Sequence, residues 1–392
     1  MTRRKVTATA EKPAANARRR FLAAGGAAGA SALAFPMIAR SQAPITLRFQ
    51  STWPPKFIYH EFAVDWTRKA SELTGGRLKI DMLPAGAVVP GLQLVEAVSK
   101  GTLDGGHGIP AFWFGKHPAF GLYGAGPDFG MDANQLMGWV EYGGGKELFV
   151  EIQAAAQLNI VSYLGGPVPC EPMGWFKKEI KGTGELKGVK FRTSGLAVDM
   201  FSALGMSAVQ MAPADIVPAL DRGLLDGAEF ASATDDRTMG FPDVAKFYLQ
   251  QSYHMANNFC EVMFNKNRHD TLPAEIKTIL KHVPHAAHSD MMWKSMHRMS
   301  QDFIELQTKH KVKVYRTPKP ILDAQLKAWD TVIAKRSAEN PLFVKVIESQ
   351  KAWARRVMYW HNNVQVNQAA AYTHYFPKGP LLAGCFDDRA PC

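Results

Sequence analysis

The sequence predicts an α/β protein of two similar lobes, with a ligand cleft between them and a helical region at the C-terminal end. The main observation is a repeat, because residues 97–105 read AVSKGTLDG and residues 219–227 read ALDRGLLDG. In each copy a helix ends on a basic residue, which suits the negative end of its dipole, and a glycine follows where the chain turns left-handed into a strand. The length of the chain also favours two lobes, since the roughly 350 residues beyond the N-terminal segment are more than a single hydrophobic core usually accommodates. Such junctions also occur in single-lobed α/β proteins, so the repeat alone leaves both architectures open.

The first lobe begins with alternating strands and helices, which favours a sheet with helices on both faces. The predicted elements are a strand over 45–52, a helix over 60–73, a strand over 77–83, a helix over 92–100, a strand over 103–109 and helices across 133–157. Phe112, Trp113 and Phe114 follow the third strand. They form either part of the core or the wall of a cleft.

The second lobe starts after a strand over 160–164, which ends at consecutive glycines. Its predicted elements are a strand over 188–193, helices over 196–204 and 213–222, and a strand over 227–230. Residues 261–265 then return to the first lobe. Helices dominate from about 272 to 372. The first lobe therefore spans 44–165 with a return segment at about 256–300. The second lobe spans 166–255, and a helical region with a tail occupies 301–392.

Residues 1–43 have the features of an export signal. Arg18, Arg19 and Arg20 precede an apolar run over 21–38, which is rich in alanine and glycine and too short for a convincing membrane span. Residues 41–43 (SQA) would form the cleavage site. Paired arginines before Phe-Leu resemble a twin-arginine signal, which predicts a periplasmic protein. An uncleaved N-terminal anchor is the alternative.

The charge distribution argues against nucleic-acid binding. The formal net charge is +11, but residues 1–43 hold eight of the 46 Lys and Arg residues and one of the 35 Asp and Glu residues, which leaves +4 for the remainder. No segment of that remainder concentrates basic and aromatic residues in a stripe. A mildly basic body fits an anionic small ligand.

The sequence lacks common catalytic motifs, and this favours binding over catalysis. It contains no phosphate-binding loop, no dinucleotide fingerprint and no GxSxG nucleophile elbow. His282, His285 and His288 are expected to lie on a solvated helix face. We therefore predict that the protein is not an enzyme.

The four cysteines show no CxxC spacing, so a zinc or thioredoxin-like site of that kind is not indicated. They are Cys170, Cys260, Cys385 and Cys392. In an oxidising compartment the last two could close a small C-terminal loop, or some or all of the four could be free thiols.

Three charged residues lie where a ligand of an open α/β sheet would bind, beyond the carboxyl ends of strands. Arg192 ends one predicted strand, and an arginine there can hold a carboxylate with two parallel hydrogen bonds. Glu229 ends the repeated strand, and Glu171 begins the second lobe. Two acids in one cleft would repel each other unless a hard cation such as Na⁺ or Ca²⁺ lay between them. The alternative is a surface arginine and two solvated or ion-paired acids.

Several short motifs carry a resemblance to a known family. They are 88–93 (VVPGLQ), 174–176 (GWF), 189–192 (VKFR), 225–229 (LDGAE) and 263–266 (MFNK). Their order and spacing resemble those of TRAP transporter substrate-binding proteins, the periplasmic receptors of tripartite ATP-independent transporters for organic acids. The likeness covers about 45–372. Residues 90–93 (PGLQ), 115–116 (GK), 235–236 (DD) and 240–241 (GF) are most similar to the branch that binds 2-oxo acids or lactate.

The resemblance implies the fold and the binding site. It implies a two-lobe, type II-like periplasmic binding protein whose lobes are linked by strands and a long helix. Arg192 would clamp the carboxylate of a 2-oxo or 2-hydroxy monocarboxylate. A Na⁺ or Ca²⁺ ion would be held by Glu171, Glu229 and the backbone carbonyl of Phe230.

The resemblance also implies a wall and partners. Phe112 and Trp113 match an aromatic wall, and Asn257 would contact the solute. The receptor would deliver its acid to the TRAP membrane subunits. The related branch dimerises through a swapped C-terminal helix, for which residues 357–373 are the candidate here.

Two positions depart from the pattern of that branch. Glu171 falls where the branch has a glutamine, and Met255 falls where it has a second acid. This departure either keeps the charge of the site in a different place or indicates a different ligand or no metal. A metal-independent receptor for an aromatic carboxylate, a dicarboxylate or a sugar acid is the first alternative. An exported enzyme that uses Glu171 and Glu229 as acid and base is another, and the partner of a membrane sensor is a third.

Overall fold

Two β-sheets form the framework of the protein. The computed structural model describes residues 43–168, 170–255 and 258–377. The strands are β1 (Ile45–Ser51), β2 (Leu78–Leu83), β3 (Gly105–Gly108), β4 (Ile160–Val168), β5 (Gly174–Phe176), β6 (Lys190–Thr193), β7 (Ser207–Gln210), β8 (Gly227–Ala228), β9 (Phe247–Leu249), β10 (Asn258–Asn265) and β11 (Lys313–Tyr315). The first sheet has the order β2-β1-β3-β10-β4, and the second has the order β11-β9-β5-β8-β6-β7. The two-lobe α/β fold predicted from the sequence is thus confirmed.

Helices cover both sheets and connect them. They are α1 (Ile58–Leu73), α2 (Leu94–Ser99), α3 (Ala133–Tyr142), α4 (Gly145–Ala155), α5 (Ala197–Ala203), α6 (Pro213–Asp221), α7 (Ala233–Met239), α8 (Phe241–Val244), α9 (Lys266–Asp270), α10 (Ala274–Thr308), α11 (Lys319–Glu339), α12 (Pro341–Val364) and α13 (Gln368–Tyr375). Among the described residues no helix is long and apolar enough to cross a membrane.

The first sheet is parallel at one edge and antiparallel at the other. Strands β1, β2 and β3 run parallel, and β10 and β4 add antiparallel pairs. Helix α1 covers this sheet because Phe62, Trp66 and Ala70 recur at helical spacing and are buried. The predicted return of 261–265 to the first lobe is confirmed, since β10 lies between β3 and β4.

The second sheet contains short strands that the sequence analysis did not predict. Strand β6 pairs in parallel with β7 and β8, while β5 pairs antiparallel with β8 and β9. Strand β11 adds a further parallel edge to β9, within the stretch that was expected to be helical. Three or four residues are too few to show the alternation by which a strand is recognised.

The repeat marks equivalent junctions in the two lobes. The first copy joins α2 to β3, and the second joins α6 to β8. Gly101 and Gly223 adopt the expected left-handed conformation, with φ of 78° and 74°. Each glycine follows the last turn of its helix, where a residue with a side chain would be strained.

The aspartate of each repeat ties its junction to the neighbouring strand. Asp104 Oδ2 accepts a hydrogen bond from the backbone N–H of Arg48 at 2.8 Å. Asp226 Oδ2 accepts one from the backbone N–H of Lys190 at 3.0 Å. The two lobes therefore use one local device at the start of β3 and of β8.

The chain passes between the sheets through irregular connections and one long helix. The first connection joins β4 to β5, and the second joins β9 to β10. Helix α10 has 35 residues and packs against β4, α1 and α7. Helix α11 packs on α5 of the second lobe, whereas α12 packs on elements of the first lobe.

The predicted dimerisation segment, 357–373, is not one continuous helix. Helix α12 ends at Val364 and α13 begins at Gln368. Large apolar side chains are exposed along this region: Tyr359, Trp360, Val364, Val366, Tyr375 and Phe376. Dimerisation through this region stays a prediction.

One expectation about the histidines is wrong, and several others fall outside the described residues. His288 is only 3% exposed and lies in the interior, not on a solvated face, because α10 packs that side of the helix against β4. Cys170 and Cys260 are free thiols. The export signal, Asn257 and the cysteine pair near the C-terminus, 385 and 392, lie outside the described residues.

Candidate functional site

Arg192 is buried at the carboxyl end of β6, with 1% of its surface exposed. Its Nε and Nη2 donate hydrogen bonds to the carbonyl oxygen of Met211, each at 3.1 Å. Its Nη1 donates to the backbone oxygen of Glu229 at 2.8 Å and to Oε1 of the same residue at 3.2 Å. The Phe230 ring lies 5.7 Å from Cζ. The guanidinium is therefore held rigidly in the interior and is not a surface group.

Glu171 and Glu229 lie together in the same interior region. Glu229 follows β8, and Glu171 lies in the connection between β4 and β5, where its backbone N–H donates to the carbonyl oxygen of Met255 at 3.1 Å. Burial first, and the charge of Glu229 second, raise the pKa of Glu171 well above its ordinary value. One carboxyl oxygen of each glutamate, Oε2, has no hydrogen-bond partner among the described residues.

His254 completes this cluster, and the sequence analysis missed it. One ligand atom from each of Glu171, Glu229 and His254 lies within 4.8 Å of the others, and all three residues are buried. Burial lowers the pKa of His254 to about 4, so the imidazole is neutral at physiological pH. The residue directly precedes Met255, the position where the resembling branch has its second acid. That neighbourhood is the signal that could have drawn attention to it.

A small cavity of about 10 Å³ lies beside the cluster. Residues of both lobes line it: Trp53, Tyr59, Ile109, Phe112, Glu171, Ser194, Phe230, Ala231 and Asn258. The rings pack tightly, with centroid separations of 5.6 Å between Trp53 and Phe112 and 6.5 Å between Trp53 and Phe230. The wall thus combines four aromatic rings with the polar groups of Glu171, Ser194 and Asn258.

The two predicted wall residues fall in different places. Phe112 lines the cavity. Trp113 does not, because its indole turns into the first lobe and donates a hydrogen bond from Nε1 to Glu261 Oε2 at 2.8 Å. Burial raises the pKa of Glu261 to about 7. Trp113 therefore belongs to an internal polar network.

Further lining residues could have been found from the strand-end rule. Trp53 follows the carboxyl end of β1, and Ser194 follows that of β6. Asn258 opens β10, and its Nδ2 lies 3.5 Å from Glu171 Oε1 and 3.3 Å from Met255 Sδ. The amide of Asn258 and the hydroxyl of Ser194 therefore line the same cavity as Glu171 and can form hydrogen bonds there.

Two adjacent aspartates, 235 and 236, connect this region to both lobes. Asp236 Oδ2 accepts hydrogen bonds from Trp175 Nε1 at 2.8 Å and Tyr248 Oη at 3.1 Å. Asp235 Oδ1 accepts one from the backbone N–H of Ile58, at the start of α1, at 3.0 Å. Asp235 lies in α7, after the second sheet, whereas α1 covers the first sheet. This bond therefore joins the lobes across the cleft.

Comparison with known proteins gives consistent results. The model of the family described as bacterial extracellular solute-binding protein, family 7 (DctP) matches residues 49–340. The monocarboxylate 2-oxoacid-binding periplasmic protein of Nostoc sp. (strain PCC 7120) is 30% identical over 314 residues, which are 80% of this chain and 85% of that protein.

Solved structures agree with the fold. A TRAP transporter solute-binding protein of Bordetella bronchiseptica, with calcium and picolinate in one active site of a dimer, has a TM-score of 0.80 and 27% identity, over 86% of this chain and 98% of that one. A TRAP periplasmic solute-binding protein of Pseudoalteromonas atlantica with sodium and pyruvate has a TM-score of 0.77 and 28% identity, over 86% and 99%. That of Colwellia psychrerythraea with calcium and pyruvate has a TM-score of 0.78 and 27% identity, over 85% and 100%.

Proposed function

This chain belongs to family 7 of the bacterial extracellular solute-binding proteins, and on that premise we propose that it binds a 2-oxo or 2-hydroxy monocarboxylate in the periplasm and delivers it to a TRAP transporter. The family consists of solute receptors, not enzymes. The observation that carries the proposal is a buried arginine, Arg192, facing two buried acids beside a small cavity with aromatic walls. The relative from Nostoc, named for binding 2-oxoacids, supports the class of solute.

Arg192 would clamp the carboxylate of the solute. A guanidinium can form two parallel hydrogen bonds with a carboxylate, and these are stronger than bonds between neutral groups. Its contact with Glu229 Oε1, at 3.2 Å, is the longest of its four hydrogen bonds. A solute carboxylate would replace this contact while the bonds to backbone oxygens keep the guanidinium in place.

A cation would bridge the solute and the acids. The unpartnered Oε2 atoms of Glu171 and Glu229 offer two oxygen ligands, and the backbone carbonyl of Phe230 would add a third. When bound, the ion would neutralise the acids and attract the oxo or hydroxyl oxygen of the solute. The neighbouring structures contain calcium or sodium together with pyruvate or picolinate.

The aromatic wall would select the apolar end of the solute, and closure would enclose it. Phe112 and Phe230 line the cavity without hydroxyl groups, so this side favours an alkyl or aryl substituent. The cavity of about 10 Å³ has room for roughly one water molecule. Solute entry therefore requires the lobes to separate, as in other two-lobe receptors.

The family is periplasmic, and we propose the same location for this chain. The following expectations from the sequence are also part of the proposal. The twin-arginine-like segment, 1–43, would export the chain. Residues 44–165 and 256–300 would form the first lobe, and residues 166–255 would form the second. Residues 301–392 would form the C-terminal helical region and tail. The exposed apolar residues near the end of α12 and in α13 would form a homodimer contact. Asn257 would contact the solute from the connection between β9 and β10.

A thermal-shift experiment tests the function. The purified protein is heated with a panel of 2-oxo acids, 2-hydroxy acids, dicarboxylates, aromatic acids and sugar acids, with and without a chelator. A ligand that binds only the folded state raises the midpoint by mass action. Stabilisation by 2-oxo or 2-hydroxy acids that a chelator removes supports the proposal. Stabilisation only by aromatic acids, dicarboxylates or sugar acids, unaffected by a chelator, would replace it with a metal-independent receptor.

A further inference from the structure

His254 changes the type of ion that this site can hold. We propose that the cation site of this chain takes a divalent transition-metal ion of the zinc type, bound through Nε2 of His254 and carboxylate oxygens of Glu171 and Glu229, in preference to Ca²⁺ or Na⁺. The inference rests on the proposed function, because the same ion would bridge the protein and the oxo or hydroxyl oxygen of the solute.

Hydrogen bonds around His254 orient its ring. The Ser252 hydroxyl donates its hydrogen to Gln325 Oε1 at 3.2 Å. With the Ser252 hydrogen on Gln325, Ser252 Oγ accepts at its 2.7 Å contact with His254 Nδ1, and we assign the imidazole proton to Nδ1 on this arrangement. Nε2 then carries a lone pair, and this atom has no partner among the described residues. Metal-binding histidines commonly have this arrangement, in which a second group orients the ring.

The backbone holds the three side chains in one place. Gln325 comes from α11, and its Oε1 also accepts the backbone N–H of Tyr253 at 2.8 Å, so the segment before His254 is anchored twice. The bond from the Glu171 N–H to the Met255 carbonyl joins the two connections between the sheets. The three ligand atoms, each from a buried residue, lie within 4.8 Å of one another.

The donor set fits zinc better than the ions of the neighbouring structures. Ca²⁺ takes about six to eight oxygen ligands, and a nitrogen donor is not among its usual partners. Zn²⁺ accepts imidazole nitrogen and carboxylate oxygen at about 2.0–2.2 Å, and non-structural sites often have three protein ligands with one open position. Two carboxylates and one imidazole supply such a set, with His254 in place of the Phe230 carbonyl, and the solute would occupy the open position.

Charge also favours a divalent ion. Glu171 and Glu229 contribute two negative charges when ionised, Arg192 contributes one positive charge, and a monocarboxylate adds one more negative charge. A divalent ion makes this buried group neutral, whereas Na⁺ leaves one uncompensated negative charge in a region from which water is excluded.

A second buried cluster provides an internal comparison. His107, Cys260 and His288 also have ligand atoms within 4.8 Å of one another. However, His107 Nδ1 accepts a hydrogen bond from Trp53 Nε1 at 3.1 Å, so the proton of the neutral ring lies on Nε2 and blocks that atom as a ligand. This cluster should not compete for the ion while that bond is intact.

Calorimetry on the purified, chelator-stripped protein tests the inference. Zn²⁺ and Ca²⁺ are titrated separately, first alone and then with pyruvate, into the parent protein and into His254→Gln and Cys260→Ser variants. Glutamine replaces the nitrogen donor with an amide whose oxygen suits Ca²⁺. We expect Zn²⁺ to bind the parent protein more tightly than Ca²⁺, and His254→Gln to weaken Zn²⁺ at least about tenfold while sparing Ca²⁺. Cys260→Ser should leave both affinities unchanged.

Spectroscopy supplies a readout that a structural defect would not imitate. Co²⁺ in place of Zn²⁺ gives visible absorption bands that depend on its ligands, and the bands should shift in His254→Gln but not in Cys260→Ser. Tighter binding of Ca²⁺ than Zn²⁺ by the parent protein, or loss of Zn²⁺ binding in Cys260→Ser alone, would overturn the inference while the proposed function stands. Failure of any carboxylic acid to bind with any of these ions would instead contradict the proposed function.

Discussion

Asp235, which follows the second sheet, accepts a hydrogen bond from the backbone N–H of Ile58, the first residue of the helix that covers the first sheet. The carboxyl group is completely buried. It satisfies one of the free N–H groups that every helix has at its N-terminus. Because the two residues come from opposite lobes, we expect this bond to break when the cleft opens.

Removal of this bond should weaken closure. We expect Asp235→Ala to destabilise the closed form by about 1 kcal/mol, the usual value of a helix-capping interaction, and so to raise the Kd for the solute about fivefold. Small-angle scattering should show a larger radius of gyration without solute. Asp243→Ala, at an exposed acid in α8, is the matched control. An unchanged Kd and radius in Asp235→Ala would refute the assigned role.

Arg192 should be needed for its shape as well as for its charge. Arg192→Lys keeps the positive charge but loses the planar fork, so we expect the Kd for pyruvate to rise about 10- to 100-fold, as for the loss of a charged hydrogen bond. Calorimetry measures this directly. Lys190→Gln, on the same strand with an exposed side chain, should bind like the parent protein. Equal affinities of the parent protein and Arg192→Lys would argue against a carboxylate clamp.

The buried Glu261 should make stability depend on pH. Its pKa is raised from 4.5 to about 7 in the folded protein, so between these values the folded state keeps a proton that the unfolded state has lost. The free energy of unfolding therefore falls as pH rises through this window. Glu261→Gln stays neutral and should make the slope shallower by up to ~1.4 kcal/mol per pH unit. Urea titrations at several pH values, with exposed Glu147→Gln as the control, measure it.

The two repeat glycines should tolerate alanine equally badly. At Gly223 nothing lies within 4 Å of an added Cβ, and at Gly101 only Asn265 Nδ2 does, at 3.7 Å. The cost therefore comes from the left-handed backbone, and we expect about 1–2 kcal/mol for each variant. Denaturant unfolding measures both. Gly115→Ala, where φ is not positive and the space is open, is the control; costs that differ greatly between the two junctions would contradict their equivalence.

Much of the candidate site could be predicted from the rule that ligands of open α/β sheets bind beyond the carboxyl ends of strands. Arg192 and Glu229 could be predicted because they close two adjacent parallel strands of the second sheet, whose carboxyl ends meet at one edge. Glu171 was marked by its place at the start of the second lobe. The repeat favoured two lobes because it encodes a physical requirement, a left-handed turn followed by a carboxylate that binds the neighbouring strand.

Other features could not be predicted from local pattern. His254 lies in an irregular connection, and only the fold brings it to acids that are far away in sequence. Trp113 resembles its neighbour Phe112 in sequence, but its indole N–H requires an acceptor and finds Glu261 in the first lobe. His288 was expected in solvent because its spacing drifts around the helix, but α10 is covered on more than one side.

The bond between the Glu171 N–H and the Met255 carbonyl has a consequence for transport stoichiometry. Glu171 and His254 lie on the two connections that run between the sheets, and this bond ties the connections to each other, so the two ligands would stay together as the cleft opens. On the proposed function, the ion would keep these two ligands while the acid loses its enclosure. The receptor would then release the acid and retain the ion, and a membrane partner would have to accommodate the charge of the acid alone.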